Sequence, residues 1–537
     1  MAERLFGVET EYAFAPLGKA GAPLRVEALL CNLLELVRGR LPSLRDAHGR
    51  GLFLANGARF YIDCGLHPEM TTPECANPWD VVRYVLAGER ILARLAADLM
   101  VSDPEVSQIL VFKCNVDYNG LTTWGCHESY LHRADPAALP RQIIPHLVSR
   151  IIFTGAGGFH IGPEHVEFTL SPRVWHLQAE VSPNSTHSRG IFHTKDESLS
   201  SEGYHRLHLL CGESLCSHAA MWLRTATTAL VVALGEAGIS PGPDVLLQSP
   251  LEAMQAFAAD PECKASARTI SGRLISALEI QRYYLAAAEA HMSEPFMPAW
   301  APEACRRWRE ILDRIGQGPH ALTTILDWAI KRELFARHAL RRGTAGEPSP
   351  NRAGVLTLAA RAGRRAAVRQ ELFEIDTRFG QVGEGNGVFA ALDRAGVLHH
   401  QIPGVDNIEH AMQNPPAIGR AKIRGECIRR LAGCGQRFLC SWLDIRDRVT
   451  GKTLDLRDPL ASREDWLEPH KGQNGNLIQA PTSIAAAEGT PIDLSRHLAA
   501  ALRLRLRGSS EGRSGAERVP SQQRFDPNSV EGSQRQR

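Results

Sequence analysis

The side chains most able to do chemistry lie in residues 56–75. Along Ala58-Arg59-Phe60-Tyr61-Ile62-Asp63, apolar and polar residues alternate. Strand side chains repeat every two residues, so Ala58, Phe60 and Ile62 share one face and Arg59, Tyr61 and Asp63 the other. Gly65 then permits a bend, and His67-Pro68-Glu69 returns another carboxylate. Upstream, Leu5-Phe6-Gly7-Val8-Glu9-Thr10-Glu11-Tyr12 reads as a strand with Glu9 and Glu11 on one face. If both strands enter one sheet, Glu9, Glu11, Asp63 and Glu69 converge. Two like charges ~4 Å apart at an effective dielectric of ~20 repel by about 4 kcal/mol, so the cluster calls for cations or protons. Oxygen ligands suit a hard ion, and Mg²⁺ is commonly shared between a few carboxylates and substrate phosphates. Alone, Glu9-Thr10-Glu11 fits an edge strand with solvated acids; together with residues 59–69 it points to a metal site.

Positioning these groups requires flanking elements. Leu29, Leu30, Leu33, Leu34 and Val37 have helical spacing, and residues 43–51 read as a polar loop into the Arg59 strand. Asn77-Pro78-Trp79-Asp80 has the cap, first-turn proline and early acid of a helix start, and that helix is predicted to run to about Met100. Residues 108–114 read as a strand that ends in a turn, and Gly125-Cys126-His127-Glu128 resumes one. Residues 139–153 read as a helix and a strand; 221–234, 274–291 and 323–340 read as helices whose apolar stripes face the core. Residues 343–354 and 380–387 are loop-like, and Asn414-Pro415-Pro416 introduces a small C-terminal unit containing Trp442. Gly155-Ala-Gly-Gly158 lacks the spacing of a dinucleotide fingerprint, and no phosphate-loop motif occurs.

The bulk properties bound the answer. The chain has 537 residues and a formal net charge of +2, which argues against a dedicated nucleic-acid binder. No apolar run approaches the ~20 residues that span a bilayer. The start runs straight into a strand, so no leader and a cytoplasmic location are expected. The twelve cysteines form no Cys-x-x-Cys pair and read as reduced thiols. The final 30 or so residues have too few apolar side chains to order.

Gly7-Val-Glu-Thr-Glu-Tyr12, Asn56-Gly-Ala-Arg-Phe-Tyr-Ile-Asp63, His67-Pro-Glu69 and Gly125-Cys-His-Glu-Ser-Tyr-Leu131 resemble the Pup ligase/Pup deamidase family of proteasome accessory enzymes, relatives of glutamine synthetase and the carboxylate-amine ligases. The likeness runs in order over roughly the first 460 residues. It implies an α+β fold: a glutamine-synthetase-like antiparallel sheet cradle packed by helices. Residues 1–400 would form the catalytic domain, 405–468 a small C-terminal domain and 470–537 a disordered tail. Ser188-Arg-Gly-Ile-Phe-His-Thr-Lys-Asp-Glu197 and Tyr204-His-Arg-Leu-His-Leu209 resemble two further family blocks, but His193, Lys195 and His205 replace the family's Asn, Arg and Arg. Gly212-Glu-Ser-Leu-Cys-Ser-His218 departs further.

The resemblance implies ATP-dependent joining of the C-terminal glutamate of a Pup-like modifier to lysines of target proteins, indirectly linked to the proteasome, with neither nucleic acid nor membrane as partner. Glu9, Tyr61 and Glu69 would hold Mg²⁺, with Glu11 and His127 adding a second metal position. Arg59 and Thr72 would contact nucleotide phosphate, Arg206 would meet a phosphoryl group, Trp442 would lie against adenine, and Asp63 would be the base. The deamidase/depupylase branch uses much the same shell. Only 47 residues separate Glu11 from Arg59, Asp63 and His67 are four apart, and Cys126 precedes His127, all ligase-like. Thr72-Pro-Glu-Cys75, residues 154–157 with 161–163, and Arg424-Gly-Glu-Cys-Ile-Arg-Arg430 look more like the deamidase. Ligase is the favoured reading. A small-molecule carboxylate-amine ligase is a further alternative.

Overall fold

The computed structural model describes residues 4–461, apart from 121, 163–164, 185–187, 195–198, 202, 343–356, 360–363 and 384–386. The expectations for Lys195, the 343–354 loop and the 470–537 tail lie outside the described residues.

The chain begins β1 (Phe6–Glu11), β2 (Ala13–Gly18), α1 (Val26–Arg40), β3 (Ser43–Asp46), β4 (Gly51–Leu54), β5 (Arg59–Ile62) and β6 (Pro68–Thr71). It continues α2 (Pro78–Ser102), β7 (Val106–Phe112), β8 (Cys126–His132), α3 (Leu139–Ser149), α4 (Ile151–Thr154), β9 (Gly158–Ile161), β10 (His165–Thr169), β11 (Ala179–Ser182), β12 (Gly190–His193), β13 (His205–Leu209) and α5 (His218–Glu236). Among the described residues, the main sheet runs β11-β12-β13-β8-β1-β6-β5-β4-β3 and continues into Phe438–Cys440, Asp444–Asp447 and Thr453–Asp455. Its pairings are antiparallel except β11 with β12 and β3 with Phe438–Cys440. The α+β class is as expected, and the C-terminal strands extend the same sheet rather than building another.

The back of the sheet is the core face. On β1, Phe6, Val8 and Thr10 are buried while Glu9 and Glu11 point the other way. Helix α5, buried from Ala219 to Gly235 and including Trp222, and the apolar stripe of α2 (Val81, Val82, Ile91, Leu92, Leu95) cover this face. Full burial of each such side chain contributes about 1.5–3 kcal/mol. Contact is close where α2 crosses β6: a Cβ on Gly88 would stand 2.7 Å from Met70 Cγ. Met70 thus anchors the back of the strand whose front carries Glu69.

The start of α2 is as predicted. The Asn77 side chain accepts from Asp80 N at 2.9 Å, and Pro78 occupies the first turn. Asn77→Ala is expected to cost about 1 kcal/mol, read as a lower urea midpoint with activity per folded molecule unchanged.

Three local expectations give way. Residues 43–46 are a strand, β3, hidden in the sequence because it is only four residues long and half polar; it pairs with β4 from Ser43↔Leu54. Residues 151–154 are helical, not extended. Their amides continue the preceding turn (Thr154 N to Arg150 O, 3.0 Å), so burial overrides the β-preference of Ile151 and Ile152. The 274–291 helix starts only at Ala277, where Ser276 and Glu279 form a capping box; Leu274–Ser276 is a strand.

Candidate active site

The front face is built by register. β6 lies between β1 and β5, with Glu9 and Arg59 both opposite Thr71, and Glu11 and Tyr61 both opposite Glu69. On the other flank of β1, Glu9 faces His127 of β8. Directly opposed strand residues have Cβ atoms ~4.5–5.5 Å apart, so two rows of polar groups meet here. The tight turn into β5 needs Gly57 at φ +84°, with Gly57 N donating to Leu54 O at 2.9 Å.

Tyr61 Oη lies between the carboxylates of Glu9 and Glu69, in hydrogen-bond contact with both. Glu69 is buried. Burial, and then the charges of Glu9, Glu11 and Asp63, push its carboxyl strongly up. Burial acts the same way on Glu9, but the hydrogen bond and charge of His127, with His208 and Arg59, overcome it and hold Glu9 ionised. One acid that keeps a proton beside another that does not is what a carboxylate cluster does without a cation. His127 Nδ1 lies 3.4 Å from Glu9 Oε2, and its Nε2 lies 3.3 Å from Glu11 Oε1. Glu11 also accepts from Gly125 N at 2.9 Å.

Asp63 follows β5 at the turn. It accepts from His67 N at 2.6 Å, and its other oxygen is 3.1 Å from His67 Nδ1. Burial would raise its pKa, but the side-chain and backbone hydrogen bonds from His67 win and keep it below the usual range. The carboxylate is therefore ionised at neutral pH, as a base must be.

A cavity of 430 Å³ opens beside Glu9, lined among others by Arg59, Thr72, Arg206, His208 and Trp442. All four residues expected to contact nucleotide are therefore in one cavity. Tyr61, Asp63 and Glu69 lie outside its lining, beyond Glu9. Arg59 donates from Nε to Asp46 Oδ2 at 2.7 Å and stacks on the Tyr61 ring at 4.0 Å. Thr72 Oγ1 accepts from Val8 N at 3.1 Å. Trp442 packs edge-on to Phe53, with ring centroids 5.0 Å apart, and carries the Arg424 guanidinium 4.7 Å above its ring.

Sequence reasoning missed three contributors. Asp46, which aims Arg59, sat in the stretch read as a loop. His208 lines the cavity; its signal was its place two residues beyond Arg206 on the same strand face. Glu74 joins the front of the sheet to the C-terminal helix Gly419–Leu431, accepting from Arg420 Nε at 2.7 Å and Arg424 Nη1 at 3.2 Å. Arg424 also donates to Gly57 O at 2.9 Å. Glu74 and Arg424 stand in two of the three deamidase-like blocks, and those two are in direct contact.

The donor set fits a hard divalent cation: clustered oxygens of Glu9, Tyr61 and Glu69, and a buried acid carrying a proton that a cation would displace.

The family model described as Pup-ligase protein matches residues 4–446. Pup--protein ligase 1 of Rhodococcus erythropolis is 31% identical over 477 residues, covering 87% of this chain and 99% of the relative. Pup--protein ligase of Mycolicibacterium smegmatis is 30% identical over the same length, again covering 87% of this chain and 99% of the relative. Among solved structures, the complex between Prokaryotic Ubiquitin-like Protein Pup and its Ligase PafA is similar with a TM-score of 0.71 at 24% identity, covering 86% of this chain and 90% of that one. PafA in complex with ADP is similar with a TM-score of 0.66, also at 24%, covering 83% and 92%. At that identity the structural likeness speaks for the fold.

Proposed function

Because this chain belongs to the Pup-ligase family, we propose that it uses ATP to join the C-terminal glutamate of a Pup-like modifier to lysine ε-amines of target proteins. The modifier's γ-carboxylate attacks the γ-phosphate of ATP, ADP leaves, and a mixed acyl phosphate forms. A lysine amine then attacks the acyl carbon, phosphate leaves, and an isopeptide bond remains. The observation that carries this reading is the Tyr61 hydroxyl set between Glu69 and Glu9, the latter lining the same cavity as Arg59 and Trp442.

Glu9, Tyr61 and Glu69 would hold Mg²⁺, which when bound screens phosphate charge from the incoming carboxylate. Arg59, fixed by Asp46, presents its guanidinium to a phosphate, and Thr72 and Arg206 line the same wall. Trp442 offers a flat face for adenine. Asp63, outside the nucleotide cavity but beside Glu69, accepts the proton that the lysine ammonium must lose. Substrates thus enter on two sides of one cluster, ATP from the cavity and the amine from the Asp63 side.

The reading places the reaction in the cytoplasm, consistent with ATP use and with twelve free cysteines. Among the described residues no helix is long and apolar enough to cross a membrane. The relatives named above are all ligases, which favours conjugation over depupylation.

The deciding experiment incubates the protein with ATP, a lysine-bearing target and a modifier ending in Glu, and separately with preformed conjugate. Conjugation raises the target's mass. Release of modifier from conjugate, without conjugation, would replace this reading with depupylation. Trp442→Ala is expected to raise KM for ATP about tenfold, the worth of ~1.5 kcal/mol of ring stacking, with KM for the modifier unchanged.

A further inference from the structure

The turn that carries Asp63 has an aromatic wall. His67 holds both Asp63 oxygens, and the indole of Trp124, two residues before β8, lies against the His67 ring with ring centroids 5.5 Å apart. Leu66, in the same turn, leaves 39% of its surface exposed. The carboxylate cluster is on one side of Asp63; these aromatic and apolar groups are on the other. We infer that Trp124 is the platform on which the target lysine lays its side chain, and so selects the amine in the conjugation step. The inference rests on the ligase reading and adds to it a specificity-determining residue.

Trp124 is held by its backbone. Trp124 N donates to Asn115 O at 3.1 Å, and Asn115 is clamped to Ser214 by two hydrogen bonds of 2.7 and 3.1 Å. Thr123 before it accepts from Arg189 Nη1 at 2.6 Å, and Gly125 after it donates to Glu11 at 2.9 Å. The indole N–H, by contrast, has no acceptor among the described residues. A buried indole usually finds a partner for its N–H, so no polar contact explains a tryptophan here. What the residue supplies is a large, half-buried ring, fixed in place next to the group that takes the lysine proton.

Lysine suits such a surface. It carries a compact ammonium on a four-carbon stem, and such stems lie along apolar surface while the head reaches a polar partner. Tryptophan is also the best aromatic partner for an ammonium, attracting it within ~6 Å of the ring centroid. The ammonium loses its proton to Asp63 before the amine attacks, so attraction to the ring acts on the bound substrate and not on the attacking amine. Loss of the ring therefore falls on KM for the amine. An amine whose stem is one methylene shorter gives up part of the contact, which makes the ring a ruler for lysine.

The test compares acceptor peptides carrying lysine or ornithine, which is one methylene shorter, in full-length wild type, Trp124→Leu and Trp124→Phe. Hydroxylamine, which has no stem, traps the acyl phosphate as a hydroxamate in parallel. Trp124→Leu is expected to raise KM for the lysine peptide about tenfold and to erase the preference for lysine over ornithine, while KM for ATP and hydroxamate formation stay within about twofold of wild type. Trp124→Phe keeps an aromatic face and is expected to raise the same KM only about threefold. Thermal melts identify a variant that fails to fold, and the other then decides. An unchanged KM for the lysine peptide in a folded variant would overturn the platform. So would a fall in kcat with the lysine preference intact, which would make Trp124 a support for His67 alone. If wild type cleaves conjugate and forms none, the ligase reading falls; a KM for lysine-linked conjugate raised about tenfold by Trp124→Leu would leave the platform standing, and an unchanged KM would sink both.

Discussion

Asp63→Asn is expected to slow conjugation by about 100- to 10,000-fold, the usual worth of a general base, while ATP affinity changes by less than about threefold. The substitution keeps size and shape. An asparagine oxygen can still accept from His67 N, now bonded to Asp63 at 2.6 Å, so the turn survives. What disappears is a group that can take the lysine proton. Nucleotide binding is spared because Asp63 is not among the residues lining the cavity. Single-turnover conjugation, with ATP binding measured separately, checks both halves. Conjugation within about tenfold of wild type would remove Asp63 from the role of base. Since His67 holds the carboxyl below its ordinary range, Asp63 is ionised at and above neutral pH, and the rise in rate from pH 7 to 9 should report the lysine ammonium instead.

Glu74→Ala carries the largest expected effect on stability. Glu74 neutralises Arg420 and Arg424, and both guanidiniums are buried. Removing one partner of a buried ion pair costs about 3–5 kcal/mol because a buried charge is left uncompensated. The denaturation midpoint should fall accordingly, with KM for ATP rising as Trp442 and the Thr72 segment lose their common brace. The same group makes stability depend on pH. Burial raises the Glu74 carboxyl, but the charges of Arg424 and Arg420 outweigh it and bring the pKa to about 2 in the folded protein. A depressed carboxyl stabilises fully above its unfolded value of ~4.3 and loses that contribution as pH falls toward 2, in all about 3 kcal/mol. Urea midpoints between pH 6 and 3 should therefore drop more steeply in wild type than in Glu74→Gln. Parallel pH profiles would show that the brace contributes nothing.

The neighbouring tests read different links. Asn77→Ala probes a helix end on the core face, whereas Trp442→Ala probes the cavity wall. Only Asp63→Asn separates proton removal from binding.

The sequence by itself determined what is local. Strand period two put Glu9 with Glu11, and Arg59 with Tyr61, on polar faces backed by Val8 and Phe60. The cap at Asn77 and the apolar spacing behind it set the start of α2. The types of residue, acids with a phenol and a nearby arginine, already raised the expectation of a hard cation beside phosphate. Only the tertiary structure decided which strands are neighbours and in what register. A slip of one residue would have turned every acid of a strand to the core, and burial of Met70 under α2 prevents it. The same long-range packing made a strand of residues 43–46, so that Asp46 could hold Arg59, and set His208 beside His127 from 81 residues away. Glu74 found Arg424 across 350 residues. Such pairings depend on which surfaces bury one another, and no short stretch of chain carries that information.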